Sequence, residues 1–358
     1  MEKLKTDILV IGAGPAGGSA ALAARRHAVS VLIVERKKNV GRPVQCAEFI
    51  PAMMLGELTL GAQGNDKSFI VQQIKGMKTF IKGKLEKETK APGFIINRDV
   101  FDQKIVKEAK KNGARLLTST KAVSMTPDKT IILKQEDNVS LEVDARVIIA
   151  ADGPNSRVGQ WLNIPPVKRL PGVQMAFALK EKSEFTQIYL EPEIHAGYSW
   201  LFPKGDIANV GLGFQKTSQN MQTAVALLKQ FVSQFKKRGI IMGEPLSHRA
   251  GWIPAESRKK AVYGNILFVG DAAGHTHPIT GAGIFTAVAC GKMAGERAAC
   301  AVLKNDLSIL LKYDEQWQEM FGRTLNHAVQ KRLKMEAEWE NFDNIIRSCW
   351  IAFREYYV

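Results

Sequence analysis

Thr6-Asp-Ile-Leu-Val-Ile-Gly12-Ala-Gly14-Pro-Ala16-Gly17 is the stretch on which the fold turns. Residues 6–11 are a short apolar run of the kind that fills a buried parallel strand, and the Ala-rich residues 15–26 read as a helix. A second strand is expected over Val29–Glu35. Strand, glycine turn, helix and strand within about 30 residues make a βαβ unit and open a doubly wound sheet. In the turn, Gly12 allows the sharp bend and Gly14 lets backbone N–H groups approach a pyrophosphate. Gly17, after Ala16, lets the helix lie close to the sheet. Glu35 ends the next strand about 20 residues on, where a carboxylate accepts hydrogen bonds from ribose hydroxyls and repels a 2′-phosphate. Arg36, beside it, joins the same set of candidate cofactor contacts.

Outward from this unit, Val100, Phe101, Ile105, Val106 and Ala109 recur at helical spacing over Asn97–Asn112, and Gly113 stops the helix. Short β runs follow from 115 to 150. Between Pro165 and Ala255 the pattern alternates, with strands expected over Val173–Leu179, Gln187–Leu190, Tyr198–Phe202 and Asn209–Gln215, then a helix over Met221–Lys237. Asn265-Ile-Leu-Phe-Val-Gly-Asp271 returns to a parallel-strand pattern, and the chain from Ile284 reads as helical. The expected fold class is therefore α/β. A discontinuous Rossmann-like nucleotide-binding domain (1–164 and 256–305) carries an inserted, mostly antiparallel β-sheet substrate domain (165–255) and a C-terminal helical segment (306–358).

Composition narrows the function classes. The 358 residues are 45% hydrophobic and 24% charged, which suits a globular chain with a sizeable core. The net charge of +15 calls for an anionic partner. Nucleic acid is a poor candidate, because the basic residues are dispersed and accompany no recognition motif. Cys46, Cys290, Cys300 and Cys349 lie far apart without ligand spacing, so no metal site and no disulfide scaffold are expected, and a reducing, cytoplasmic compartment fits. The basic start and the uncharged stretch 8–24 mimic a secretion signal, but the glycines interrupt it and it is too short to span a bilayer.

NAD and FAD share the glycine fingerprint, and Gly270-Asp271-Ala-Ala-Gly274 separates them: an Asp at a strand end can bind a ribityl hydroxyl. Next, His275-Thr-His277-Pro278-Ile-Thr-Gly281-Ala-Gly283-Ile284 forms a glycine turn that opens a helix, whose positive end suits negative charge on a reduced flavin. The two histidines lack an acidic partner and read as turn residues. Together with Ala151-Asp152-Gly153-Pro-Asn-Ser-Arg157, these segments resemble the glutathione-reductase-type FAD proteins of the hydroxylase branch. The resemblance assigns Gly12, Gly14, Gly17 and Glu35 to the dinucleotide motif and Asp152, Gly153 and Arg157 to the Asp-Gly motif. It assigns Gly270, Asp271, Pro278 and Gly281 to the second flavin motif, and Arg98 to an arginine near the flavin. No second Gly-x-Gly-x-x-Gly unit appears, so the reductant is expected to be transiently bound NAD(P)H or a ferredoxin-like protein donor.

Tyr198-Ser-Trp200-Leu-Phe202-Pro-Lys204, followed by Asn209-Val-Gly211-Leu-Gly213, places three aromatic side chains on one face of a strand. This spacing resembles the signature of the geranylgeranyl reductase family, flavoenzymes that saturate isoprenoid double bonds. Pro43-Val-Gln-Cys46-Ala47-Glu48 resembles that family's cysteine segment, with Ala47 where Gly is common. The resemblance implies hydride transfer from reduced FAD to a geranylgeranyl-type lipid, quinone tail or diphosphate. Cys46 is then the catalytic candidate, Tyr198, Trp200 and Phe202 line the prenyl channel, and Gly211 and Gly213 allow close approach of flavin or chain. A flavin monooxygenase and an electron-transfer flavoprotein dehydrogenase are the alternatives on the same fold. Trp339, Phe342, Ile346, Trp350, Phe353 and Tyr357 form a helical aromatic stripe, read as core-facing or, preceded by Lys331, Arg332 and Lys334, as a lid or an interfacial helix on the inner membrane face. Cosedimentation with anionic vesicles, reversed by salt, is the expected outcome of the peripheral-membrane reading.

Overall fold

The computed structural model describes residues 2–58, 67–216 and 223–358. Its first sheet has eight strands, and its parallel part runs in the order Ile266–Phe268, Ser140–Ala150, Glu2–Ile11, Val31–Val34, Arg115–Leu117. The apolar runs read as buried strands are buried on both faces: Ile8, Leu9, Val10, Ile33, Val147, Ile148 and Ile149 have no appreciable exposure. Covering helices explain this on one face. Pro15–Ala24 packs on Ile284–Lys304 so closely that a Cβ on Gly291 would lie 2.3 Å from the Ala16 carbonyl oxygen, and one on Gly295 2.1 Å from that of Ala20. The matching order of these contacts makes the two helices parallel.

The second sheet has seven strands, in the order Ile241–Pro254, Arg169–Leu179, Ile207–Gly213, Tyr198–Lys204, Phe185–Leu190, Gly76–Ile81, Lys84–Thr89. All four strands expected in the insertion are present in it. Three of its seven strands were not foreseen. Residues 76–89, placed by the sequence in the nucleotide domain, join this sheet through a parallel pairing of Gly76–Ile81 with Phe185–Leu190, so the insertion boundaries at 165 and 255 do not enclose the sheet. Ile241–Pro254 escaped notice because Gly243, Pro245 and Gly251 break a strand pattern; it is an edge strand, where a proline costs no ladder bond. Phe49–Pro51, Gly93–Ile96 and Ile70–Ile74 add a small third sheet. The helix read from Met221 begins at Ala224, and residues 221 and 222 lie outside the described residues.

One face of the seven-stranded sheet is closed by the helix Ala224–Lys237, whose Leu228, Phe231 and Phe235 meet Phe177, Leu201 and Val210. The C-terminal segment covers part of the other. Its aromatic stripe is not one helix: it breaks into Trp339–Asn341, Phe342–Cys349 and Arg354–Tyr357. Trp339, Phe342, Ile346, Trp350 and Phe353 are buried in one cluster with Trp200, while Tyr357 alone of the stripe is well exposed. Trp350 donates to Thr79 Oγ1 at 3.4 Å. These rings are core, so the stripe offers no interfacial face. Arg332, read as a basic flank for a membrane helix, is also buried: its guanidinium donates to the Pro278 carbonyl at 3.1 Å, the Ala196 carbonyl at 2.8 Å and Glu336 Oε1 at 3.0 Å. It ties the C-terminal helix to the turn before Tyr198 and to the Pro278 loop. Arg332→Ala, which leaves both carbonyls and the carboxylate short of a donor, is expected to cost about 3–5 kcal/mol of stability, measured by urea unfolding.

Candidate active site

The dinucleotide cradle follows from backbone geometry. Gly12 has φ +105°, and a Cβ there would lie 2.2 Å from the Ala151 carbonyl oxygen, so no other residue fits between the first strand and the Asp152 turn. Gly14 caps the helix Pro15–Ala24 without a side-chain hydrogen bond and has open space where its Cβ would point. The helix Ile284–Lys304 also starts without a side-chain cap, at Gly283. Because the helices are parallel and Gly291 faces Ala16, the second begins six residues, or about 9 Å, beyond the first. Two positive helix ends therefore point the same way, one beyond the other, an arrangement suited to an elongated dinucleotide. Glu35 accepts from the amides of Ala13 at 2.9 Å and Lys37 at 3.0 Å, which holds its carboxylate against the glycine turn. Arg36 points outward and is exposed.

The Asp152 turn leaves one polar atom unpaired. Its Oδ2 accepts from the amides of Arg157 at 2.7 Å and Val158 at 3.2 Å, whereas Oδ1 is buried with no partner. A donor hydroxyl would satisfy it. Gly153 is open on its Cβ side, and the Arg157 side chain is exposed. Gly270, Asp271, Pro278, Gly281 and Gly283 all lie in the loop between the last parallel strand and Ile284, with Asp271 Oδ1 bonded to Thr276 Oγ1 at 2.7 Å. Burial pushes the carboxyls of Asp152 and Asp271 up from the usual range. The orphaned oxygen, the open glycines and the two uncapped helices fit FAD.

Arg98 begins the helix Arg98–Lys111 and pairs with Asp102 at 2.8 Å, both largely buried. Its guanidinium also acts electrostatically on the Cys46 thiol and on Asp271. Burial pushes the Cys46 thiol up from its ordinary value, against the pull of Arg98.

The segment Gln45–Glu48 is fastened to the second sheet strand by strand. Gln45 Nε2 donates to the Ala250 carbonyl at 2.7 Å, Gln174 Nε2 to the Cys46 carbonyl at 3.2 Å, Asn209 Nδ2 to the Ala47 carbonyl at 3.4 Å, and Lys204 Nζ to Glu48 Oε2 at 2.6 Å. Those partners sit on four consecutive strands of the sheet, so the loop runs straight across its face. Glu48, buried and at φ +71°, accepts from Asn209 at 3.1 Å as well, and through Oε1 caps the Arg98 helix at the Arg98 amide, 3.0 Å away. Tyr198, Trp200 and Phe202 share the face beneath, with Tyr198 and Trp200 ring centroids 5.7 Å apart and Phe202 6.1 Å from Phe49.

A model described as an FAD binding domain matches residues 5–325. Digeranylgeranylglycerophospholipid reductase 2 of Methanopyrus kandleri is 33% identical over 94% of this chain and 88% of its own. This chain belongs to the geranylgeranyl reductase family. Among solved structures, a geranylgeranyl bacteriochlorophyll reductase-like protein from Thermoplasma acidophilum superposes on this family member with a TM-score of 0.82 at 26% identity, over 94% of this chain and 91% of the other. A probable FAD-dependent monooxygenase from Pseudomonas aeruginosa reaches 0.70 at 17% identity, over 96% and 100% respectively, a likeness of fold alone. This geranylgeranyl reductase family member is thus an FAD-dependent oxidoreductase.

Two expectations about the aromatic row change. Trp200 is 7% exposed and belongs to the core cluster, while Tyr198 and Phe202 keep accessible edges. Gly211 does not leave room for flavin or chain: a Cβ there would lie 2.4 Å from the Trp200 ring, so the glycine makes room for the indole. Gly213 faces Ile253 and the far edge of the same ring. Glu48, Gln174, Lys204, Asn209 and Arg332 were not singled out as site residues. For Gln174 and Asn209 the signal was present, as polar side chains between apolar neighbours in a strand, but only the folded chain shows that the five converge.

His275 is buried, and His277 bonds within its own turn. Both ring nitrogens of His275 are buried without partners, and burial lowers its pKa to about 3. His277 Nδ1 accepts from the amides of Ile279 and Thr280 at 3.3 Å; burial and nearby His327 lower its pKa to about 4. Each is neutral when folded and takes a proton on unfolding below about 6.5. Stability is therefore full above pH 6.5 and falls as pH drops toward 4, by up to about 1.4 kcal/mol per pH unit for each histidine. Urea unfolding at several pH values is expected to show that slope, and His275→Leu to reduce it.

Proposed function

We propose that the protein saturates carbon–carbon double bonds of a geranylgeranyl-type glycerophospholipid. The observation that carries this reading is the placement of Cys46: its thiol feels the Arg98 guanidinium, and its loop is bonded to the sheet face that carries Tyr198 and Phe202. An isoprenoid chain offers only apolar surface, and these aromatic edges supply a matching wall. When bound and reduced, FAD supplies a hydride to one carbon of the double bond. The other carbon needs a proton, and Cys46 Sγ is the donor in this reading. A thiol whose pKa is raised by burial stays protonated at neutral pH, as a proton donor must. The thiolate left behind lies beside the Arg98 guanidinium, which stabilises it until solvent returns the proton. Asp102 holds that guanidinium in place.

Transiently bound NAD(P)H or a ferredoxin-like protein is the proposed reductant. Peripheral contact with an anionic bilayer, where such a lipid resides, rests on the +15 net charge. Among the described residues no helix is long and apolar enough to cross a membrane.

Cys46→Ala is expected to bind FAD with unchanged visible absorbance and to lose about 10²–10⁴ of the rate of prenyl reduction. Mass spectrometry of digeranylgeranylglycerophospholipid after turnover reads the outcome as two-dalton increments per saturated bond. Retention of the full rate by the variant would remove the thiol from the chemistry. Oxygen uptake with a hydroxylated product would replace the reductase reading by a monooxygenase.

A further inference from the structure

Gln174, Gly211 and Trp200 lie side by side on three neighbouring strands: Gln174 pairs with Gly211, and Gly211 with Trp200. In a row of this kind the middle side chain would separate the outer two. Glycine removes it. The indole of Trp200 lies over the bare Gly211 backbone and reaches the far strand, where its Nε1 donates to Gln174 Oε1 at 3.0 Å. That bond leaves the Gln174 amide nitrogen directed at the Cys46 carbonyl, 3.2 Å away. Gln174 is only 8% exposed, so water is a poor substitute for either partner. Without the indole the amide could rotate and present its oxygen to the Cys46 carbonyl; with the indole in place only one orientation satisfies both neighbours.

We propose that Gln174 is a positioning residue for Cys46, oriented by the Trp200 N–H through the gap left by Gly211. Trp200 then acts on the thiol through Gln174 as well as filling the core. The inference deepens, and rests on, the reading of Cys46 as proton donor, and its test separates the two.

The probe is iodoacetamide alkylation of Cys46 in the FAD-loaded protein, followed by peptide mass spectrometry, alongside kcat and KM for digeranylgeranylglycerophospholipid. Gln174→Leu fills the same space without either bond. It is expected to raise the Cys46 alkylation rate about ten-fold, in step with the loss of one buried hydrogen bond, and to lower kcat with little change in KM. Trp200→Phe keeps a ring over Gly211 but lacks the N–H, and is expected to shift both readouts in the same direction by less. If Gln174→Leu does not fold, Gln174→Asn, whose amide is one methylene too short, is expected to give the same increase. Alkylation within about two-fold of the parent in a folded Gln174 variant overturns the proposal, since a packing role alone would leave the thiol where it is. In a Cys46→Ala background, Gln174→Leu is expected to cause no further fall in kcat, and a further fall also overturns it. Full activity of Cys46→Ala alone would end the proton-donor reading, while the alkylation rates still decide whether Gln174 positions the loop.

Discussion

The buried carboxylate of Glu48 is the constraint on which the site depends. It receives a cation from one strand, an amide from the next and the first backbone N–H of the Arg98 helix, and so joins the nucleotide-binding part of the chain to the second sheet. A carboxylate taken out of water is tolerable only when its lone pairs are filled, and here three donors from three elements fill them. Any displacement of one sheet against the other would unpair it. Two residues earlier lies Cys46, so the same constraint that fixes the interface fixes the thiol.

The second sheet consequently has two unlike faces. One is an ordinary apolar layer under the helix Ala224–Lys237. The other carries Tyr198, Trp200, Phe202, Asn209, Gln174 and Lys204, and supports the cysteine loop and the C-terminal helices at once. Arg332 extends the linkage by joining the C-terminal helix to the Pro278 loop, where the second flavin motif lies. The three parts of the chain thus meet around one line of side chains, and the C-terminal segment belongs to the site's scaffold.

Much of the fold was legible because its signals are local. The apolar run before Gly12, the glycine turn and the alternating strands each occupy a few consecutive residues, and hydrophobic period alone distinguishes them. The chemistry of the cofactor cradle was legible for the same reason: Gly12, Gly14 and Glu35 serve a backbone turn and a strand end. The strands Gly76–Ile81 and Lys84–Thr89 were less so, since their place in the second sheet depends on a partner about a hundred residues away. Trp200 and Gly211 mark the limit most clearly. Their spacing suggested a substrate channel, whereas the cross-strand register shows an indole seated on a glycine.

By itself, then, the sequence determined the α/β class, the FAD-binding motifs and the presence of a cysteine and an aromatic row, because each is written in residues that are neighbours along the chain. Only the tertiary structure decided what those groups do to one another. Gln45 to Glu48 acquire meaning from four strands that are ordered in space and scattered in sequence. Hydrogen bonds and buried charges act over about 3 Å, and it is the fold that brings residues 128 to 205 positions apart within that range.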